Sequence, residues 1–328
     1  MIKLATIGTS WITQSFLMGC ELLKDKFELT AVYSRDYEKG LNFGRQFGCE
    51  NIICDINELA CDPKIEAVYI ASPNAFHYSQ SKLMLQNKKH VICEKPITVT
   101  PTELEELQAL AKCNGVVYME AIMGPHLPCW ETVKDAISRL GRLSHARFDF
   151  SQRSSKLDGL LRGEHQNIFD PKMATGTLMD LGVYCIYPAV CWFGEPESVY
   201  SYCRFIDTGS DSEGGAILHY KDMTVELSWS KTGETRLGSE IIGEGGTLVL
   251  PSISTLRNAR LITKNGEIEP LFHNPEKPEL MSYEAADFYR YITDLDSRSE
   301  LEVLNKTALA VSRLMQTIRE QCGIKFDI

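Results

Sequence analysis

The sequence predicts an α/β chain in two parts: an N-terminal, doubly wound parallel sheet and a C-terminal α+β part built on a large, mostly antiparallel open sheet. Three observations carry this. Short apolar runs alternate with helix-length segments through the first 120 residues, the pattern of strand–helix–strand units. From residue 198 to 262 apolar runs instead follow one another across short turns, which joins them antiparallel. Near residue 120 the pattern changes without a flexible linker, low-complexity stretch or internal repeat.

Residues 2–7 form a first strand ended by Gly8, and 11–24 the first helix. Strand 27–34, helix 36–47, a short strand 52–54 and a helix around 57–60 follow. Val, Tyr and Ile in succession mark 66–72 as a strand. Helix 75–87 leads to strand 89–94. Pro101 suits the first turn of the next helix, with Thr100 as its N-cap. A sixth strand covers 116–119. Beyond it come a helix at 128–140, a long strand at 142–151 and a helical segment at 177–193. The strand series has turns at 207–210, 221–222, 233–234 and 243–246, and helices 281–297 and 306–321 close the chain. In the last helix Leu309, Leu314, Met315 and Ile318 form an apolar stripe that reads as core. The expected domains are 1–120 and 121–328, sharing a cleft, with helix 306–321 able to pack back on the first.

Of 328 residues, 44% are hydrophobic and 24% charged, a globular balance, and the net charge is −10. That acidity argues against nucleic-acid partners and anionic membrane surfaces. No run approaches the roughly 18 apolar residues of a membrane span. The first residues read as a strand rather than a signal peptide, so a cytoplasmic location is expected. Eleven cysteines include no Cys-x-x-Cys pair, and reduced thiols are the default. Seven scattered histidines without ligand spacing predict no metal site.

Gly8-Thr9-Ser10-Trp11-Ile12-Thr13 stands where a Rossmann fold keeps Gly-x-Gly-x-x-Gly/Ala. Only the first glycine is present. Gly8 suits the tight turn, Ser10 permits close backbone approach, and the helix N-terminus offers N–H groups to a pyrophosphate. Trp11 could cover the cofactor or the substrate mouth. The second strand ends Ser34-Arg35 where an NAD site usually places an acid. A guanidinium binds phosphate with a fork of donors, so NADP(H) is expected over NAD(H); the other reading has Asp36 on the ribose. Ser72, Pro73, Asn74 and His77 lie along the same carboxyl edge, with Asn74 also a plausible helix cap. Glu94-Lys95-Pro96 ends the fifth strand there, the edge where open α/β sheets bind ligands.

In this order the Gly8 loop, Ser72-Pro73-Asn74-x-x-His77, Glu94-Lys95-Pro96, Glu120-Ala121 and the run from Gly176 through Asp180 to Tyr184 resemble the glucose–fructose oxidoreductase/inositol dehydrogenase/rhizopine catabolism (Gfo/Idh/MocA) family. The resemblance spans essentially the whole chain. It implies a Rossmann domain, a mostly antiparallel second domain, and nicotinamide-dependent oxidation or reduction of sugars, polyols and diols. It also implies a cis Lys95–Pro96 bond. Tyr184 stands where the family most often keeps histidine, which is similar to the branch of dimeric dihydrodiol dehydrogenases and NADP-linked D-xylose dehydrogenases. That branch uses a lysine and this tyrosine together.

A tyrosine has an ordinary pKa of about 10, and a nearby ammonium favours its phenolate. Tyr184 is thus a candidate acid/base tuned by Lys95; alternatively Lys95 gives the proton and Tyr184 orients the substrate. Asp180 and Tyr184, spaced i and i+4, share a helix face, and Asp180 could hold Lys95 or bind a substrate hydroxyl. His126, Arg153, His165 and Asn167 are weaker candidates for substrate contact. A homodimer or higher oligomer is expected, because an apolar open sheet face needs cover. The competing reading is a noncatalytic, NADP(H)-binding sensor on the same fold.

Overall fold

The computed structural model describes residues 1–272 and 275–328. The chain folds as two units, Met1–His126 with Pro275–Leu309, and Leu127–Asn274 with Ala310–Ile328. The first therefore extends past residue 120 and takes back a later segment.

The first unit alternates β1 (Ile2–Ile7), α1 (Trp11–Leu22), β2 (Phe27–Tyr33), α2 (Tyr37–Gly44), β3 (Ile52–Ile53), α3 (Ile56–Cys61), β4 (Ala67–Ile70), α4 (His77–Gln86), β5 (His90–Glu94), α5 (Pro101–Asn114) and β6 (Tyr118–Ala121). Among the described residues the strands run in the order β3-β2-β1-β4-β5-β6, all parallel. The order reverses between β1 and β4, the switch point where doubly wound sheets bind ligands. Helix α5 starts as expected: Thr100 accepts from the Glu103 N–H and the Glu103 side chain returns to the Thr100 N–H, with Pro101 behind the cap. The expected helix 36–47 is shorter, because Asp36 caps α2 and the backbone tightens into a 3-10 turn at Arg45–Phe47. Asn74 does not cap α4. It opens a 3-10 turn, Asn74–Phe76, that precedes the helix. The sixth strand lies two residues later than expected and includes Glu120.

Helix α9 (Lys277–Thr293) belongs to this first unit, where Tyr289 packs edge-on against Phe27 of β2 at 5.8 Å. Helix α10 (Arg298–Cys322) begins eight residues before the expected 306. Its Ala308 joins Ile7, Val68, Ile70, Val91 and Leu104 in the core of the parallel sheet. Its last turn serves the second unit, where the Gln321 side chain donates to the Val199 carbonyl at 2.9 Å.

The second unit contains α6 (Cys129–Arg139), β7 (Leu143–Ser151), α7 (Leu157–Leu161), α8 (Val183–Phe193), β8 (Ser198–Phe205), β9 (Asp211–His219), β10 (Thr224–Ser230), β11 (Ser239–Gly243), β12 (Gly246–Leu250), β13 (Arg260–Thr263) and β14 (Ile268–Pro270). Among the described residues its sheet has the order β14-β13-β12-β11-β7-β10-β9-β8. The pairing is antiparallel except that β7 inserts between β10 and β11 and runs parallel to β10. Ala146 and Phe148 of β7 are buried, and because β7 lies between β10 and β11 the chain joining those two strands crosses its end. Alternate residues Val225, Leu227 and Trp229 are buried on one face, where α8 packs and Phe148 stacks on Phe193 at 6.2 Å.

One segment has the length and mean apolarity of a membrane span. Pro171–Phe193 is long and apolar enough, yet 72% of its most apolar window is buried in the fold. It is a core segment of the second unit.

Candidate active site

The carboxyl ends of β1, β4, β5 and β6 bring the motifs of the first unit to one edge. Gly8 has φ +110, and a Cβ there would lie 2.6 Å from the Ala71 carbonyl oxygen. Only glycine lets the β1 turn approach the β4 loop so closely. Ser10 caps α1 in extended backbone, and its hydroxyl lies 3.3 Å from Thr13 Oγ1 rather than on the backbone. The first-turn N–H groups, at Trp11, Ile12 and Thr13, have no intrahelical acceptor, an arrangement that suits an anion. At the end of β2 the Ser34 hydroxyl donates to the Asp36 carbonyl at 2.7 Å, while Asp36 Oδ1 accepts from the Lys39 N–H at 3.1 Å. Asp36 is thus engaged as a helix cap, and Arg35 is the exposed cation at this strand end. These residues fit a dinucleotide.

The neighbouring loop is tied to β5 by His77. Its ring is buried, with Nε2 2.8 Å from the Ser72 carbonyl and Nδ1 2.9 Å from that of Pro96. Burial lowers its pKa below the usual imidazole value. A neutral ring carries one N–H, so His77 donates to one of the two carbonyls at a time, and the buried ring packs between the loops of Ser72-Pro73-Asn74 and Lys95-Pro96. The Ser72 hydroxyl donates to Gln80 Oε1 at 2.6 Å, and the Lys95–Pro96 bond is cis.

Under Lys95 lies a buried acidic floor. The Tyr69 phenol donates to Glu94 Oε1 at 2.6 Å, and Phe16 stacks on the Tyr69 ring at 4.0 Å. Burial raises the Glu94 pKa, while the Tyr69 hydrogen bond and the charges of Lys95 and Lys277 pull it down. Glu120 accepts from the Ile97 N–H at 2.9 Å and is pushed up to about 7, chiefly by burial. Glu284 of α9 is buried and pushed up to about 8, by burial and then by the charge of Glu94. Lys277, at the start of α9, also places its ammonium 5.9 Å from the centroid of the exposed Trp11 ring.

In the second unit Asp180 lies in a π-helical turn, Leu178–Gly182, that runs directly into α8 carrying Tyr184. Such turns recur at functional sites. Within residues 176–190 every side chain is buried except Asp180 and Tyr184, so these two reach one open face of a core segment. The Tyr184 ring meets Phe150 of β7 edge-on at 5.3 Å. Asp180 Oδ2 lies 3.0 Å from the buried ammonium of Lys231. At the start of the turn Asp211 Oδ2 accepts from the Leu178 N–H at 2.7 Å.

Each of the weaker candidates has a protein partner. His126 is buried with Nδ1 2.8 Å from Asp287 Oδ2, a packing role rather than a cleft-lining one. Arg153 pairs with Asp158 at 2.5 Å on the surface. His165 lies 2.9 Å from Asp170 Oδ2, and exposed Asn167 gives its carbonyl to the Thr175 hydroxyl at 2.8 Å. Among the described residues no group of three or more His, Cys, Asp or Glu is placed to hold a metal. Sequence reasoning missed Glu284, Lys277, Asp211 and Lys231. Lys231 sits in a Ser-Lys-Thr-Gly run that reads as a solvated turn, and nothing local marks it as buried.

A profile described as an oxidoreductase family with an NAD-binding Rossmann fold matches residues 2–122, and the GFO/IDH/MocA C-terminal domain matches residues 130–249. The chain belongs to the Gfo/Idh/MocA family. It is therefore an oxidoreductase with a nicotinamide dinucleotide-binding domain. Among relatives in this family, the scyllo-inositol 2-dehydrogenase (NADP(+)) IolU of Bacillus subtilis (strain 168) is 37% identical over 326 residues, covering 99% of this chain and 98% of the relative. A trans-1,2-dihydrobenzene-1,2-diol dehydrogenase of Mus musculus is 31% identical over 203 residues, 61% of this chain and 59% of that one. The Gfo/Idh/MocA fold is also similar to the crystal structure of KijD10, a 3-ketoreductase from Actinomadura kijaniata in complex with NADP and TDP-benzene, at TM-score 0.84 and 21% identity over 98% of both chains.

Proposed function

We propose that the protein is an NADP(H)-linked dehydrogenase that moves a hydride between nicotinamide and a carbinol carbon of a polyol, sugar or vicinal diol. The observation that carries this reading is the pair Asp180 and Tyr184, the two side chains left open along an otherwise buried segment. The inositol and dihydrodiol dehydrogenases among its relatives support the substrate class. Arg35, exposed beside an Asp36 occupied as a cap, supports NADP(H) over NAD(H).

When bound, the nicotinamide supplies the hydride acceptor or donor. The residues of the chain manage the proton and the pose. Tyr184 takes the carbinol proton in oxidation and returns it in reduction. Lys95, at the cofactor edge of the first unit, is the second proton-handling residue of this proposal. Asp180 accepts a hydrogen bond from a neighbouring hydroxyl. Glu94, and the Gly8 loop with Ser10, Trp11 and Ile12, shape the cofactor edge.

An NADP+ reduction screen over pentoses, hexoses, inositols and trans-dihydrodiols tests the reading. Lys95→Met and Tyr184→Phe should each lower kcat about a hundred- to ten-thousandfold while NADPH still binds. Wild-type activity in both variants overturns the catalytic assignment. Tight NADPH binding with no turnover identifies a sensor instead.

We also infer a homodimer or higher oligomer through the open face of the larger sheet, where Tyr200 and Tyr202 are 66% and 63% exposed beside exposed Ile217. Light scattering should give at least twice the monomer mass, and Ile217→Lys should lower it. The eleven cysteines are free thiols, which supports residence in the cytoplasm.

A further inference from the structure

Lys231 is 1% exposed, and burying an ammonium is costly unless it is paired. Its place is fixed from both sides of its own backbone. The Lys231 N–H donates to the Ser212 carbonyl and its carbonyl accepts from the Ser154 N–H, both at 2.9 Å. Its ammonium lies 3.0 Å from Asp180 Oδ2, 3.4 Å from the Gly176 carbonyl oxygen and 5.4 Å from the centroid of the Phe169 ring. Gly176 has φ +149, and a Cβ there would fall 1.9 Å from Asp211 Oδ1. Asp211 is also within the field of Lys231, which counters the burial that raises its pKa. One buried cation thus faces two carboxylates. Asp211 is spent on the start of the turn, whereas the Asp180 side chain is 33% exposed and still reaches solvent.

We propose that Lys231 is the positioning residue of this half of the site: it holds Asp180 ionised and aimed, so that the carboxylate accepts a hydrogen bond from a second hydroxyl of the substrate. The inference rests on the role given to Asp180 above. It narrows the substrate class to neutral compounds with a hydroxyl beside the reacting carbinol. A carboxylate or phosphate at that position is repelled by the fixed negative charge. A lone alcohol leaves Asp180 without its donor.

The test uses Lys231→Met, Lys231→Arg, Asp180→Asn and the Lys231→Met/Asp180→Asn double variant, with trans-cyclohexane-1,2-diol and NADP+ as probes. Asp180 can rehydrate when its partner is removed. Lys231→Gln, which keeps a donor without the charge, makes the same comparison if the methionine variant does not fold. Lys231→Met should raise KM for the diol roughly tenfold or more, with a smaller change in kcat and unchanged NADPH affinity. Lys231→Arg should recover most of the loss. The double variant should be no worse than Asp180→Asn, because Lys231 acts through Asp180. An unchanged diol KM, or additive losses, overturns the proposal. A readout free of activity separates it from the functional reading. The Asp180 carboxyl carbon resonance, identified by its loss in Asp180→Asn, should titrate at higher pH in Lys231→Met than in the wild type. An unmoved titration overturns the role of Lys231. A moved titration with no turnover by the wild type overturns the functional reading alone.

Discussion

The Tyr69 phenol donates to Glu94 Oε1 at 2.6 Å, directly before Lys95 at the end of β5. This bond offsets part of the burial that raises the Glu94 pKa. Tyr69→Phe keeps the ring that stacks on Phe16 and removes the donor. The folded-state pKa of Glu94 then rises further. A raised carboxyl costs nothing while protonated and costs stability as pH climbs through its folded value. The variant should therefore lose about 1–3 kcal/mol at pH 8 and much less near pH 4.5. Urea unfolding at the two pH values checks this, and an equal loss at both sinks it.

Glu120 contributes a pH slope of its own. Burial pushes its pKa up to about 7 in the fold, from an ordinary carboxylate value of 4.5. Stability from the protonated form is full below the unfolded value and is lost as pH rises from 4.5 through 7. The sum is on the order of 3 kcal/mol. Glu120→Gln keeps an oxygen for the Ile97 N–H and cannot ionise. Its urea midpoint should fall less between pH 5 and pH 8 than that of the wild type. An unchanged slope means that Glu120 does not ionise across this range.

What could be read in advance followed the range of the interactions. The parallel sheet was legible because each strand and each cap is a local pattern, as at Thr100 and Pro101. The edge residues Gly8, Ser72 and Lys95 followed from where strands end. Asp180 and Tyr184 were legible from their spacing, although the π-helical turn between them was not. The parallel pairing of β7 with β10 has no local signature, since neither strand differs from an antiparallel one in composition. Glu284 and Lys277 lie at the far end of the chain, and only packing of α9 brings them to Glu94. Lys231 was invisible for a related reason. A buried lysine is defined by its partners, and Asp180 lies 51 positions away.

Arg35 should decide the choice of cofactor. Its neighbour Asp36 gives Oδ1 to the Lys39 N–H as a helix cap, and Arg35 is exposed beside it. Arg35→Ala should raise KM for NADP+ roughly ten- to hundredfold and leave KM for NAD+ within a factor of about three. Steady-state kinetics with both cofactors measures the ratio. Equal changes for the two cofactors would show that Arg35 does not read the 2′-phosphate.

Gly8→Ala should damage the cofactor edge twice over. At φ +110 the backbone lies in a region that alanine adopts only under strain. The added methyl also meets the Ala71 carbonyl at 2.6 Å, and Ala71 is itself held to the end of β1 by its N–H, which donates to the Ile7 carbonyl at 2.9 Å. The turn must therefore move, and with it the first N–H groups of α1. A stability loss of about 2 kcal/mol is expected, together with at least a tenfold weaker NADPH complex by fluorescence titration. Arg35→Ala, by contrast, weakens the complex without lowering the melting temperature. A Gly8→Ala protein that binds NADPH as the wild type does would remove the phosphate role from this loop.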